Sequence, residues 1–221
     1  MKKIIISCLA GIAVTLLLLT ACKKDTLPAV TTKAVTNIAE TTVTCGGTII
    51  SDGGASITAR GVCWTTTENP TTSNSIINHG PGNDEFTSNI IYLTAGTSYH
   101  VRAYATNSIG TAYGEDVSFS TLGKAKLTTI AATDITSSSA TCGGNITSDG
   151  GATVTERGIC LSTGTFPTVF DTKIISGSGT GAYSVSLTGL SASTTYYIRA
   201  YAINSIGTGY ANILNFTTPA K

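Results

Sequence analysis

Apolar and polar residues alternate through the segment 99–106, which reads Tyr-His-Val-Arg-Ala-Tyr-Ala-Thr. This period of two predicts a β-strand whose odd-numbered side chains face a core and whose even-numbered side chains, among them Arg102 and Tyr104, face outward. Residues 107–110 read Asn-Ser-Ile-Gly, which is typical of a turn, and a second strand through 113–119 can return beside the first. The pattern therefore predicts an antiparallel hairpin.

The chain carries this hairpin twice. Ten of the 13 residues of Tyr99–Thr111 recur in Tyr196–Thr208, and the same spacing of 97 residues leads from Cys45 to Cys142. Because the spacing is constant, no loop has been gained or lost between the copies. Other short runs rich in β-branched residues, bounded by Gly, Asp, Asn or Pro, complete each copy. In the first copy the predicted strands are 29–32, 41–49, 57–65, 76–77 and 85–93.

Several of these residues resemble known families. Leu, Thr and Tyr in Leu93–Tyr99 and again in Leu190–Tyr196, followed by Asn-x-x-Gly, resemble the fibronectin type III family. Ser-Asp-Gly-Gly at 51–54, Arg-Gly-Val-Cys-Trp at 60–64 and Arg-Ala-Tyr-Ala-x-Asn at 102–107 are similar to the repeats of bacterial surface lipoproteins.

The resemblance implies an all-β chain of two tandem Ig-like (fibronectin type III) β-sandwiches, a first module of residues 28–122 and a second of residues 123–221. It also implies that Tyr99 and Tyr196 each begin a strand and direct their hydroxyls to nearby backbone, the tyrosine corner of such sandwiches. The family usually has a core tryptophan on its second strand, about where the first copy has Gly47.

The N-terminus predicts export and lipidation. Two lysines precede an apolar run of about 16 residues, which is shorter than the ~20 that span a bilayer. Leu-Thr-Ala-Cys at 19–22 resembles the lipobox of bacterial lipoproteins, which implies a signal peptide at residues 1–21, acyl chains on Cys22 and a lipidated tether at 22–27. Lysine rather than aspartate follows the cysteine, which favours sorting to the outer membrane. The charged residues there resemble the surface-export signals of some Gram-negative lineages.

The charge balance argues against a nucleic-acid partner. Only 11% of the residues are charged, with 13 Lys and Arg against 12 Asp and Glu. Binding to nucleic acid requires a clustered basic face, and the sequence has none.

Four cysteines lie within the modules as two pairs of equal spacing, Cys45 with Cys63 and Cys142 with Cys160. The recurrence of both members and an oxidising envelope favour one disulfide in each module. Strand alternation argues the other way, because it directs Cys45 inward and Cys63 outward. Disulfides and free thiols are therefore both open alternatives at this point.

Residues with catalytic or metal-binding potential are sparse. The two histidines, His79 and His100, have no counterpart in the second copy, so neither a metal site nor a cofactor is expected. No serine lies in a Gly-x-Ser-x-Gly elbow. The glycine-rich segment 177–181 lacks the following helix that a phosphate-binding loop requires. We expect no catalytic residue and no enzyme activity.

The residues with most promise for binding are Arg102 and Tyr104, with Arg199 and Tyr201 in the second copy. Their positions face outward, and arginine and tyrosine are common in surfaces that contact proteins or glycans. The alternative is that they stack across neighbouring strands and stabilise the sheet.

The sequence thus predicts a non-catalytic cell-envelope lipoprotein, held to a membrane through Cys22, that presents two modules for protein or glycan binding. The alternative is a structural spacer or an assembly subunit of an envelope complex. Exposed aromatic residues in the loops 110–113, 167–170 or 207–210 would favour binding, whereas a featureless polar surface would favour the spacer.

Overall fold

A computed structural model describes residues 24–221 of the chain. The predicted signal peptide, residues 1–21, and the predicted lipid acceptor Cys22 lie outside the described residues. Between residues 24 and 221 the chain forms antiparallel strands, turns and loops, and no helix. The prediction of an all-β fold is confirmed.

The first module contains eight strands that form two sheets. A three-stranded sheet has the order β1-β2-β5, and a five-stranded sheet has the order β4-β3-β6-β7 with β8 also paired to β6. The strands are β1 (Ala29–Thr32), β2 (Val43–Ser51), β3 (Ala59–Thr65), β4 (Ser75–Asn78), β5 (Phe86–Ile90), β6 (Ser98–Thr106), β7 (Thr111–Tyr113) and β8 (Val117–Ser120).

The second module repeats this arrangement with seven strands. Its sheets have the orders β13-β10-β9 and β12-β11-β14-β15, and the single strand β15 takes the place of β7 and β8. The strands are β9 (Lys126–Thr133), β10 (Ser139–Ser148), β11 (Glu156–Ser162), β12 (Thr172–Ile175), β13 (Gly181–Thr188), β14 (Thr195–Asn204) and β15 (Gly207–Thr217).

Each module has its own hydrophobic core between its two sheets. The alternation that predicted β6 places Val101, Ala103 and Ala105 in the first core, fully buried. The equivalent residues of β14, among them Ile198 and Ala200, lie in a separate second core. Two separate cores allow each module to be treated as a folding unit of its own.

A glycine and an aromatic residue on neighbouring strands replace the core tryptophan of the fibronectin type III pattern. Gly47 on β2 pairs with Phe86 on β5, and a Cβ at Gly47 would lie 2.7 Å from the tip of the Phe86 ring. Gly144 pairs with Tyr183 in the same way, again at 2.7 Å from the ring. The aromatic ring that fills this part of the core therefore comes from the adjacent strand and lies over the glycine.

Backbone hydrogen bonds fix the junction between the modules on both sides. The Leu122 N–H donates to the Ala39 carbonyl and the Gly96 N–H to the Leu122 carbonyl, both at 3.0 Å. On the other side, the Gly123 N–H donates to the Gly150 carbonyl at 2.8 Å. The linker between the modules is thus bound to the turns of both.

A buried asparagine binds the incoming chain at the start of each module. The side-chain nitrogen of Asn204 donates to the carbonyls of Gly123 and Asp149, both at 2.8 Å. Asn107 makes the same pair of bonds in the first module, to Thr26 at 2.7 Å and to the equivalent turn carbonyl at 2.8 Å. The segment that precedes the first module is therefore held by an asparagine side chain in the same way as the linker between the modules.

Candidate functional site

The arginines of the predicted binding face lie on the outer face of the larger sheet but contact their own module. The Arg102 guanidinium lies 4.8 Å from the ring centre of Tyr113, and its Nε donates to the Gly114 carbonyl at 2.8 Å. Arg199 repeats this arrangement 4.5 Å from the ring centre of Tyr210. Stacking across strands, the alternative kept open in the sequence, accounts for both arginines.

The tyrosines of the predicted binding face are buried, and this part of the prediction is corrected. Tyr104 is 2% exposed and Tyr201 is fully buried. Each ring lies over a glycine of the neighbouring strand, since a Cβ at Gly61 or Gly158 would come within 3.1 or 2.9 Å of it. The Tyr201 hydroxyl also donates to Glu156 Oε1 at 2.9 Å. These tyrosines pack the sheet and are not open to a ligand.

A loop lies against part of this outer face in each module and contacts the residues beside the tyrosines. In the first module, the loop 66–74 between β3 and β4 folds back over the sheet and buries its own Pro70 completely. The Thr72 N–H of this loop donates to the Tyr113 hydroxyl at 3.1 Å. The loop 163–171 of the second module repeats this contact. The alternation predicted the outward direction correctly but carried no information on the loop.

The four cysteines of the modules are free thiols on opposite faces of the sheets. Cys45 and Cys142 lie in the cores, where burial raises the pKa of each thiol to about 12. Cys63 lies on the outer face, where its thiol donates to the Pro70 carbonyl, and burial raises its pKa to about 11. Burial raises the pKa of Cys160 to about 12. The thiols therefore stay protonated and unreactive at neutral pH.

The tyrosine hydroxyls make the backbone contacts expected of a tyrosine corner. The Tyr99 hydroxyl accepts a hydrogen bond from the Thr94 N–H at 3.1 Å, and the Tyr196 hydroxyl accepts one from the Ser191 N–H at 3.0 Å. The Tyr99 ring also stacks on Phe119 at 5.7 Å between centroids. Through these hydrogen bonds, each tyrosine holds the loop that precedes its strand.

The same open cleft occurs in both modules. We call these the first and second loop clefts; each lies beside the covering loop, 66–74 or 163–171, with volumes of about 580 and 530 Å³. Every residue that lines the second loop cleft stands 97 positions after one that lines the first. The repeated fold therefore forms the same cleft twice.

Each loop cleft has one nearly fully exposed aromatic ring, supplied from a different loop. In the first it is Tyr92, which is 91% exposed, and in the second it is Phe170, which is 96% exposed. The equivalent positions hold Gly189 and Ser73. Phe170 belongs to loop 167–170, where an exposed aromatic residue is predicted to favour binding. Tyr92 was missed, and comparing the copies position by position would have found it.

The Tyr92 backbone is held in the left-handed region, with φ 61°. Its counterpart Gly189 has φ 72°, so the turn requires this conformation in both modules. The other non-glycine residues with positive φ are Asn, Asp or Ser, which tolerate it better than tyrosine does. Because the Tyr92 side chain is exposed, no burial of apolar surface compensates for the backbone strain.

Residues 24–221 include no cluster of three or more His, Cys, Asp or Glu side chains suited to hold a metal ion. Nor does this part of the chain include a helix long and apolar enough to cross a bilayer. Comparisons with protein-family models and with curated proteins found no match to the chain. The resemblance to fibronectin type III modules therefore rests on the residues and strand arrangement of this chain alone.

Proposed function

We propose that the chain is a non-catalytic cell-envelope lipoprotein whose two fibronectin type III-like modules bind a protein or a glycan at the cell surface. The observation that carries the binding proposal is the exposed ring in each loop cleft, Tyr92 and Phe170. Large aromatic side chains contribute most to recognition when a ligand covers them, and here they contact little of their own module.

The strand orders and the tyrosine hydroxyl contacts support the fibronectin type III assignment. Sheets ordered β1-β2-β5 and β4-β3-β6-β7 recur as β9–β15 in the second module. Each sandwich also has a tyrosine bound to the backbone before its strand.

The proposed anchor on Cys22 is supported by the lipobox-like sequence and by where the first module begins. The Thr26 N–H already donates to the Gly53 carbonyl at 2.8 Å. Few residues therefore separate an acylated Cys22 from the docked chain, so the first module would lie close to the lipid surface, in the outer membrane by the sorting argument. Acyl chains would supply the membrane affinity.

Two measurements test the proposal. Cys22→Ala should abolish incorporation of labelled palmitate; a wild-type chain that takes up no label, or a variant that keeps the label, would refute the lipid anchor. An array of glycans and purified matrix proteins, probed with residues 23–221, should give saturable binding to one class. No binding to either class would refute the binding role.

The second candidate, a structural spacer or assembly subunit, is favoured by one observation. The linker carbonyls and N–H groups at Leu122 and Gly123 bond to both modules, which holds the tandem in a fixed arrangement. A spacer needs this rigidity but has no use for the exposed rings. If the array experiment fails while loosening the junction impairs the cell envelope, the spacer function is the better account.

A further inference from the structure

We propose that the two loop clefts are equivalent binding sites for a neutral glycan, with Tyr92 and Phe170 as the rings on which sugar units stack. This inference rests on the proposed binding function and specifies the ligand class and site. It goes beyond the outward-facing arginines and tyrosines that the sequence suggested, because those side chains pack within the sheet.

The two rings are placed for contact and not for folding. Tyr92 occupies a backbone conformation in which its counterpart is Gly189, yet the ring is 91% exposed. Phe170 stands where the first module has Ser73, so the fold forms without an aromatic residue there. Two unrelated substitutions have thus given each cleft one open ring. A strained backbone such as that of Tyr92 is typical of functional positions.

The remaining lining of the clefts is rich in hydrogen-bonding groups. Hydroxyls of Thr65 and Thr66 line the first loop cleft, and those of Ser162 and Thr163 line the second. Hydroxyl groups both donate and accept hydrogen bonds, as the hydroxyl rim of a sugar does. A sugar also presents apolar C–H faces that suit an aromatic ring.

The charge of the lining differs little between the two clefts. Among the described residues that line the two clefts, none is lysine or arginine. Asn74 in the first cleft has Asp171 as its counterpart in the second, and hydrogen bonds from Thr168 hold the pKa of the Asp171 carboxyl below its usual range. A carboxylate accepts hydrogen bonds from sugar hydroxyls but repels anions. The second cleft therefore disfavours an acidic glycan, and the lining of the first has no lysine or arginine to attract one.

Two equivalent clefts on one chain suit a ligand that repeats. For a polysaccharide long enough to span both clefts, the second contact forms at high effective concentration. Loss of one ring should weaken binding, and loss of both should abolish it.

The test is affinity electrophoresis of the purified full chain in detergent, with amylopectin, laminarin, mannan and xyloglucan as neutral probes and alginate as the acidic one. Tyr92→Gly and Phe170→Ser each copy the residue of the other module. The matched control is Phe166→Asn, which copies Asn69. Phe166 is 75% exposed on the same covering loop but does not line the cleft.

We expect at least one neutral probe to retard the wild-type chain and the control. Each single variant should bind about tenfold more weakly, and the double variant should not bind. If the double variant still binds a glycan, the proposed site is wrong. If alginate retards the wild-type chain more strongly than the neutral probes do, the proposed ligand class is wrong. Both results leave the binding function intact. Binding only to a purified matrix protein would overturn the glycan proposal, whereas binding to no probe or protein would overturn the proposed function as well.

Discussion

Replacing Asn204 should destabilise the second module and leave the stability of the first nearly unchanged. Its Nδ2 donates to the Gly123 and Asp149 carbonyls, and its Oδ1 accepts hydrogen bonds from the N–H groups of Ile206 and Gly207 at 3.0 and 3.2 Å. One buried side chain therefore connects the linker, the turn after β10 and the turn after β14. Asn204→Ala removes all four bonds at once.

The expected loss follows from these bonds. A hydrogen bond within a protein contributes about 1 kcal/mol net, and a buried partner left unpaired costs more. The Gly123 carbonyl belongs to a buried residue, whereas Ile206 and Gly207 are partly open to water, which can replace the lost acceptor. We therefore expect Asn204→Ala to lower the free energy of unfolding of the second module by about 3 kcal/mol.

Scanning calorimetry of residues 24–221 is the assay. The separate cores predict separate transitions, and a loss of about 3 kcal/mol in a module of this size lowers its Tm by on the order of 15 °C. Asn107→Ala should shift the first module's transition in the same way, because Asn107 bonds the segment at Thr26. Ser205→Ala, at an exposed neighbouring position, is the control and should change little.

Asn204→Asp distinguishes the two hydrogen bonds that the side chain donates from the two that it accepts. It keeps the acceptor for the Ile206 and Gly207 N–H groups but directs a carboxylate oxygen at the Gly123 carbonyl, so it should destabilise at least as much as alanine at neutral pH. The reasoning would be refuted if both alanine variants shifted their transitions by no more than Ser205→Ala does.

Three further predictions concern single side chains. Tyr92→Gly should raise the free energy of unfolding by about 1 kcal/mol, because it releases left-handed strain from an exposed residue; an unchanged urea midpoint would count against strain. Tyr183→Phe should cost about 1 kcal/mol in the same assay, since the hydroxyl donates to the Gly158 carbonyl at 2.6 Å. Hydrogen bonds from Lys173, and then from Tyr201, lower the Glu156 pKa from its ordinary 4.5. The ionised Glu156 should therefore stabilise the protein relative to Glu156→Gln fully above pH 4.5, and this advantage should be lost as the pH falls below that value. Tm values of both proteins measured from about pH 6 to about pH 3 test this.

The strands and the cores were largely predictable, because they depend on local patterns. A period of two assigns Val101 and Ala103 to the inner face without knowledge of any distant contact. The constant spacing of the copies extended each assignment to the second module. Strand ends were less accurate, since β5 ends at Ile90 where the sequence suggested a run to Leu93. The turn that begins there contains the left-handed Tyr92, which no alternation pattern reveals.

The burial of the predicted binding face could not be foreseen, because it depends on contacts between neighbouring strands. Alternation correctly directed Tyr104 outward, but only the pairing of its strand with Gly61 on β3 brings the ring over a glycine, where it is buried. What the two copies share, such as Arg102 with its counterpart, is explained by packing that both modules need. The information on function lies where the copies differ without structural reason. Tyr92 and Phe170 each stand where the other module does without a ring, so a contact outside the chain is the better explanation for both.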